Sequence, residues 1–131
     1  MIRAWIAVLV LVLATSAAVA EGPGDWSGKY AFDLLNAPEM EQSLSALVGA
    51  DALAEAREVV VVGSEMVVDG EWVAGFGCMA HACGDAYGAV AISTRDGRLV
   101  MALRRAGEPA RLWGELGRAL PGAVLQVLAG Q

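Results

Sequence analysis

Both cysteines of the chain and its only histidine lie within seven consecutive residues, Cys78-Met79-Ala80-His81-Ala82-Cys83-Gly84. A disulfide between Cys78 and Cys83 would hold their Cα atoms about 4.4–6.8 Å apart, so the four residues between them must bulge outward as a tight loop. The imidazole of His81 would then lie near the loop tip. Closing so short a loop stabilises a fold by only about 2 kcal/mol in the chain-entropy model. The crosslink is therefore better suited to fixing the shape of a loop than to holding a fold together.

The first twenty residues have the pattern of an export signal. Arg3 supplies a positive n-region, an apolar run covers residues 5–13, and Ala18-Val19-Ala20 forms an A-x-A cleavage site before Glu21. An uncleaved membrane anchor is the alternative, because residues 2–20 are long enough to span a bilayer. Small residues before the site and polar residues after it favour cleavage.

Cleavage would leave a single small domain, residues 21–131, after a signal peptide of residues 1–20. Export would place the domain in an oxidising compartment, where disulfides form and persist. With two cysteines in the chain, Cys78 and Cys83 are expected to bond to each other.

Charge is unevenly distributed along this domain. Residues 21–85 hold twelve acids against Lys29 and Arg57, whereas residues 86–131 hold three acids against six arginines. The acidic half would repel the phosphates of nucleic acid, so no nucleic-acid partner is expected. The same charge would steer a basic protein towards the domain, although solubility alone also explains it.

Helical signals dominate the chain before residue 58. Residues 30–35 are apolar enough for a short helix that Pro38 interrupts, and residues 40–48 carry apolar side chains at helical spacing. Asp51 is expected to cap one more short helix, which would run to about Arg57.

The pattern then becomes that of strands. Residues 59–62 are four consecutive valines, and two hairpins are predicted, around Asp69-Gly70 and around Asp96-Gly97. The cysteine loop would join strands of these hairpins within one antiparallel sheet. Four glycines near the loop are expected to supply unusual backbone angles for it, namely Gly75, Gly77, Gly84 and Gly88.

Beyond Gly107, apolar residues at helical spacing predict a helix face. Pro121 breaks it, and the pattern resumes and runs to Leu128. The first part of the face is formed by Leu112, Trp113, Leu116, Ala119 and Leu120. Helices followed by strands and then a helix predict an α+β fold, with an antiparallel sheet of about four to five strands and helices packed on it. The expected core residues are Leu44, Leu47, Val60, Val62, Val90, Ile92, Val100 and Leu103.

Three interpretations of the loop follow from its residues alone. In the first, the disulfide and His81 are structural, and the imidazole binds nearby backbone. In the second, Cys78, Met79, His81 and Cys83 form a soft ligand set for Cu(I) or zinc, but zinc sites normally use two separated ligand pairs and the chain has no second pair. In the third, a cysteine thiolate and His81 are catalytic, which requires that thiolate to stay reduced beside a second thiol. The chain also lacks the common hydrolase and phosphate-binding motifs, so no enzyme, metal or cofactor is expected.

In a fourth interpretation the loop is an inhibitory plug. A hairpin that leads into Cys-x-x-His-x-Cys-Gly and then into a second hairpin is similar to the Ivy family, the periplasmic inhibitors of vertebrate lysozyme. The resemblance covers about residues 58–104, and the residues that carry it are Gly77-Cys78, His81 and Cys83-Gly84, with strand residues 89–92 and 99–103 behind them.

The resemblance implies that the partner is a lysozyme or other peptidoglycan-cleaving enzyme, blocked by an inhibitory loop of Cys78, Met79, Ala80, His81, Ala82 and Cys83. A retaining glycosidase holds two carboxyl groups about 5–5.5 Å apart, and the two ring nitrogens of an imidazole can bridge such a pair. Acidic residues around the loop, with Asp69, Glu71 and Asp85 as candidates, would meet a basic enzyme surface. The resemblance also allows a homodimer, since dimers occur in that family.

The loop of that family usually reads Cys-Lys-Pro-His-Asp-Cys, so Met79, Ala80 and Ala82 replace lysine, proline and aspartate here. The retained His81 favours inhibition. The three replacements favour an alternative, a non-inhibitory envelope protein of the same fold that binds another partner.

Overall fold

The computed structural model describes residues 25–115 and 120–131. Its helices are α1 (Ala31–Asn36), a 3₁₀ turn (Pro38–Met40), α2 (Glu41–Val48), α3 (Ala50–Val59) and α4 (Gly122–Leu128). Its strands are β1 (Val67–Asp69), β2 (Trp72–Gly77), β3 (Tyr87–Ser93), β4 (Leu99–Arg104) and β5 (Arg111–Trp113). This arrangement confirms the predicted α+β class. Residues 1–20, the predicted signal peptide, lie outside the described residues.

The five strands form one antiparallel sheet in the order β1-β2-β3-β4-β5, so each strand pairs with its neighbour in sequence. Both predicted hairpins are confirmed: Asp69 pairs with Trp72 across the first turn, and β3 pairs with β4 across the second. Gly70 and Gly97 adopt φ values of 59° and 73° in these turns, which glycine reaches without steric cost.

Helices cover both faces of the sheet. Since side chains alternate along a strand, the larger apolar ones pack on one face against α1, α2 and α3, among them Val73, Val90, Ile92, Met101 and Leu103. The opposite face carries the small residues Ala74, Ala89, Ala91 and Ala102, and α4 packs there. All seven residues of β3 are buried. Its continuous apolar sequence is therefore the pattern of a strand covered on both sides.

The predicted helix face beginning at Leu112 is wrong in its first part. Residues 111–113 form β5, in which Leu112 pairs with Ala102 of β4, because Gly107 turns the chain back with a φ of 75°. Leu116 and Ala119 lie outside the described residues, and the resumed helix is α4.

The predicted strand at residues 59–62 is also wrong. Val59 ends α3, and Val62 forms a single antiparallel bridge with Cys78. The four consecutive valines do not share one environment. Val60 is buried, whereas Val61 and Val62 are 52% and 43% exposed. Val62 is thus not a core residue and Leu47 is only half-buried, whereas the other six predicted core residues are buried.

The N-terminal helices follow the sequence closely. The Tyr30 amide donates to the Asp33 carboxylate at the start of α1, and that helix ends before Pro38 as predicted. Asp51 does not cap α3: Gly49 occupies the cap, and Asp51 lies in the first turn, where the helix dipole favours a carboxylate. No helix within the described ranges has the length and apolar character needed to cross a membrane.

Candidate functional site

The connection between β2 and β3 is a loop closed by the predicted disulfide. Cys78 and Cys83 are bonded, with their Cα atoms 4.9 Å apart. Cys78 is 1% exposed at the end of β2, whereas Cys83 is on the surface. The crosslink therefore fastens an exposed segment to a buried anchor.

A β-turn places the histidine at the tip. The Ala82 amide donates to the Met79 carbonyl at 3.0 Å, and His81 occupies the third turn position with a φ of 67°. Ala80, at the second position, does not have a positive φ, which makes this a type II turn. His81 is the one non-glycine residue with a positive φ in the described part of the chain. The left-handed conformation costs an L-residue about 1–2 kcal/mol, so the loop holds His81 against an intrinsic preference.

The side chains of the loop face solvent. Met79, His81, Cys83 and Asp85 are all exposed, and neither the His81 nor the Asp85 side chain has a hydrogen bond or ion pair within the described residues. After the disulfide, the Asp85 amide donates to the Ala82 carbonyl at 3.1 Å, which turns the chain back towards β3. The backbone of the loop is thus ordered internally while its polar side chains are left unpaired.

The base of the loop is held by the segment that follows α3. The Val62 and Cys78 backbones exchange two hydrogen bonds, of 2.9 Å and 2.8 Å. Above this bridge, the Val60 side chain lies against Gly77 and Gly88, which pair across β2 and β3. A Cβ on either glycine would lie 2.6 Å from a Val60 methyl.

The predicted reason for the glycines near the loop is therefore wrong. None of the four residues Gly75, Gly77, Gly84 and Gly88 adopts a positive φ. Gly77 and Gly88 are required because Val60 approaches them closely, not because the backbone needs an unusual angle.

An apolar groove of about 290 Å³ lies beside the loop base. We call it the Val61 groove; its walls include Tyr30, Phe32, Asp33, Val61, Val62 and Phe76. Tyr30, Phe32, Val61 and Val62 are each between 43% and 52% exposed. The groove is continuous with the loop, because Val62 is the residue that bridges to Cys78.

Acidic residues are distributed differently from the sequence prediction. Asp69 and Glu71 flank the turn before β2, at the opposite end of that strand from the loop, so they do not surround it. Asp85 does belong to the loop end, together with Asp33 in the groove and Glu65, whose backbone bridges to Tyr30. Sequence proximity to the cysteines was a poor guide because β2 is extended over about 17 Å.

Two arginines of the basic half bind an acid of the N-terminal half. The Arg105 and Arg111 guanidinium groups both bind Glu55, with Nη2–Oε2 distances of 2.8 Å and 2.7 Å. The hydrogen bond from Arg105, together with Arg111, lowers the pKa of Glu55 to about 2. These cations are therefore engaged within the fold.

Metal ligation and cysteine catalysis both need the sulfurs that the disulfide uses. Within residues 25–115 and 120–131, no group of three or more His, Cys, Asp or Glu side chains comes together as a metal site. The arrangement around His81 is that of an exposed loop closed by a disulfide.

The family model described as Inhibitor of vertebrate lysozyme (Ivy) matches residues 39–131. The chain belongs to the Ivy family. The match includes the loop, the whole sheet and α4, so the feature first noted in the sequence lies inside the Ivy region. No curated protein and no solved structure matches the chain.

Sequence reasoning located the loop but missed its surroundings. The predicted disulfide is confirmed, and His81 is exposed within the loop that it closes. The Val61 groove was not predicted, because the four valines were interpreted as a buried strand. Gly63 directly after these valines was an available signal of an irregular segment.

Proposed function

We propose that the chain is an exported inhibitor of a lysozyme or another peptidoglycan-cleaving enzyme, which it blocks by inserting the Cys78–Cys83 loop into the active-site cleft. In this proposal residues 1–20 are removed on export and the remaining domain acts in the periplasm. The observation that carries the proposal is the exposed His81 at the tip of a disulfide-closed loop, in a chain of the Ivy family.

His81 supplies the chemistry of inhibition. A retaining glycosidase places two carboxyl groups about 5–5.5 Å apart across the bond that it cleaves. The doubly protonated imidazole donates a hydrogen bond from each of its two nitrogens, on opposite edges of the ring. Inserted between the carboxyl groups, it would form charge-assisted bonds to both and exclude the sugar ring.

The loop geometry lowers the cost of this insertion. The disulfide and the Ala82–Met79 hydrogen bond fix the backbone before binding, so little conformational entropy is lost on docking. The left-handed conformation of His81 turns its side chain out at the tip. No partner for the imidazole exists within the described residues, so no internal bond has to break first.

The charge of the loop end supports a basic target. Asp33, Glu65 and Asp85 lie at this end, and residues 58–94 contain no lysine or arginine. Such a field accelerates encounter with a basic enzyme and is screened by salt. We therefore expect the association rate with a basic lysozyme to fall as ionic strength rises.

The test compares three substitutions at position 81 in inhibition and binding assays with a purified vertebrate lysozyme. His81→Asn is the sharpest variant, because asparagine tolerates the left-handed conformation but lacks the second ring nitrogen. His81→Gly removes the side chain without imposing strain, and His81→Ala adds strain to that loss. All three should weaken binding by about 2 kcal/mol or more, as expected for a buried anchor at an interface centre.

If His81 has only a structural role, the variants should differ from one another. His81→Gly should then bind lysozyme as the unaltered domain does, and only His81→Ala should bind more weakly. If the unaltered domain inhibits no class of lysozyme and none of the three substitutions changes binding, the proposal is wrong. The alternative would then be favoured, a non-inhibitory envelope protein with Met79, Ala80 and Ala82 in a loop adapted to another partner.

A further inference from the structure

We propose that the Val61 groove is a second contact surface for the enzyme that receives the loop, and that it takes an apolar side chain flanked by basic residues on the rim of the enzyme cleft. This inference rests on the proposed function, because it assigns the groove to the same partner. The groove would then set which enzymes are recognised, while His81 would block the cleft itself.

Continuity with the loop is the first argument. The hydrogen bonds between Val62 and Cys78 join one wall of the groove to the base of the loop. Gly77, the residue before Cys78, lines the groove as well. An enzyme whose cleft surrounds the loop would therefore bring its rim against this surface.

Exposure is the second argument. Single exposed apolar residues are ordinary, but several that line one concavity mark interaction sites. Tyr30, Phe32, Val61 and Val62 are each more than 40% exposed and share one groove of about 290 Å³. A volume of this size accepts one side chain of a partner rather than a helix or a strand.

Charge identifies the neighbours of that side chain. Asp33, whose carboxylate accepts the Tyr30 amide, lines the groove, and Glu65 and Asp85 belong to the same end of the sheet. The nearest cation in sequence, Lys29, lies over the Trp26 ring, 4.8 Å from its centroid, and does not line the groove. A partner with lysine or arginine beside the inserted residue would complement this surface, whereas the same end of a second copy of this chain would present like charge.

A matched pair of substitutions tests the groove. Val61 and Val68 are the same residue type and are 52% and 54% exposed. Val68 of β1 pairs with Val73 of β2, and Val73 lies about 17 Å along the strand from Cys78. Lysine at either position changes the net charge equally, so only position distinguishes Val61→Lys from Val68→Lys.

Binding of both variants to a purified vertebrate lysozyme is measured by calorimetry, alongside His81→Asn. Val61→Lys should raise the dissociation constant about tenfold or more, and Val68→Lys less than about twofold. Phe32→Ala and Leu125→Ala form a second pair, because Leu125 is a similarly exposed residue on α4. Melting temperatures confirm that each variant is folded.

The outcomes separate the two proposals. If His81→Asn weakens binding but Val61→Lys does no more than Val68→Lys, the groove proposal is wrong and the loop proposal stands. If the unaltered domain does not bind lysozyme, both are wrong. If Val61→Lys converts a dimeric domain to monomers and leaves lysozyme affinity unchanged, the groove contacts a second copy and the assignment to the enzyme is overturned.

Discussion

At one end of β2 the polar side chains bind other groups of the fold, whereas two polar side chains of the loop at the other end have no partner within the described residues. At the turn end, Arg98 binds Asp96 at 2.6 Å and lies over the Trp72 ring, and the Thr94 hydroxyl donates to the Glu71 carbonyl. At the loop end, the side chains of His81 and Asp85 reach solvent without a partner in the described residues, beside the Val61 groove.

The difference distinguishes structural from functional use of the same residue types. Polar groups at the turn end satisfy one another, which specifies the hairpin turns. The side chains of His81 and Asp85 keep their hydrogen-bonding capacity, and the backbone and disulfide hold the loop that carries them in place. Side chains without a partner in the fold can form hydrogen bonds to another protein. Substitutions that test binding therefore belong at the loop end.

The largest effect should come from the support of the loop rather than from the loop. In Gly77→Ala, the new Cβ would lie 2.6 Å from Val60 Cγ1 and 2.8 Å from the Val62 carbonyl oxygen. Backbone cannot yield easily, so the free energy of unfolding should fall by about 2–3 kcal/mol. The control is Gly84→Ala, where a Cβ would meet nothing within 4 Å, and urea unfolding should show a change below about 0.5 kcal/mol. Equal effects of the two substitutions would refute the packing argument.

Removal of the disulfide should come next. Cys78→Ala with Cys83→Ala should reduce the free energy of unfolding by about 2 kcal/mol, as expected for a short closed loop. Circular dichroism should retain the helix and sheet content, because every core residue of the two faces other than Cys78 is unchanged. The free energy of lysozyme binding should fall by more than the free energy of unfolding does. Global unfolding of the double variant at room temperature would show that the crosslink holds the fold itself.

The pH dependence of the free energy of unfolding should report on Glu55, the carboxylate that two arginines bind. Glu55 has a pKa of about 2 in the fold, below its ordinary 4.5, because Arg105 and Arg111 bind the ionised form. Its stabilising contribution is therefore complete above pH about 4.5 and is lost as the pH falls towards 2. Glu55→Gln should cost about 1 kcal/mol at neutral pH and flatten the acid limb of stability. An acid limb that Glu55→Gln leaves unchanged in thermal unfolding would contradict the assignment.

The smallest effect should be a gain in stability. Ala80 occupies the second position of the type II turn, which proline favours, and its amide donates no hydrogen bond within the described residues. Ala80→Pro should raise the free energy of unfolding by about 0.5–1 kcal/mol and tighten lysozyme binding through pre-organisation. Ala82→Pro is the control, because it removes the amide that donates to the Met79 carbonyl. Destabilisation by both prolines would show that the turn type is wrong.

The parts of the fold that follow from local signals were predictable from the sequence. Asp69-Gly70 and Asp96-Gly97 mark their hairpins because a positive φ is required there, and Pro38 ends α1 because it lacks an amide hydrogen. The loop was predictable because its cysteines lie too close in sequence for any other shape.

The rest depends on tertiary packing, which local pattern does not report. Leu112 and Trp113 begin an apolar pattern with helical spacing. Residues 111–113 nevertheless join the sheet, since β4 offers an open edge to the chain that returns from Gly107. Residues 59–62 have high strand propensity, yet α3 extends to Val59 and Val60 packs between two glycines that are distant in sequence. The Val61 groove forms where these valines, after the end of α3, lie beside β2. No sequence motif predicts such a groove.

Not one residue from Met79 to Ala86 is buried, although the loop departs from a buried cysteine and returns into a strand whose every side chain is covered. Substitutions in this segment therefore need no matching change in the core. The presence of Met79, Ala80 and Ala82 in the loop carries little cost to the fold for the same reason. For an engineer, a four-residue sequence between Cys78 and Cys83 should be presented in the same way if it tolerates a left-handed residue at position 81 and keeps the amide at position 82.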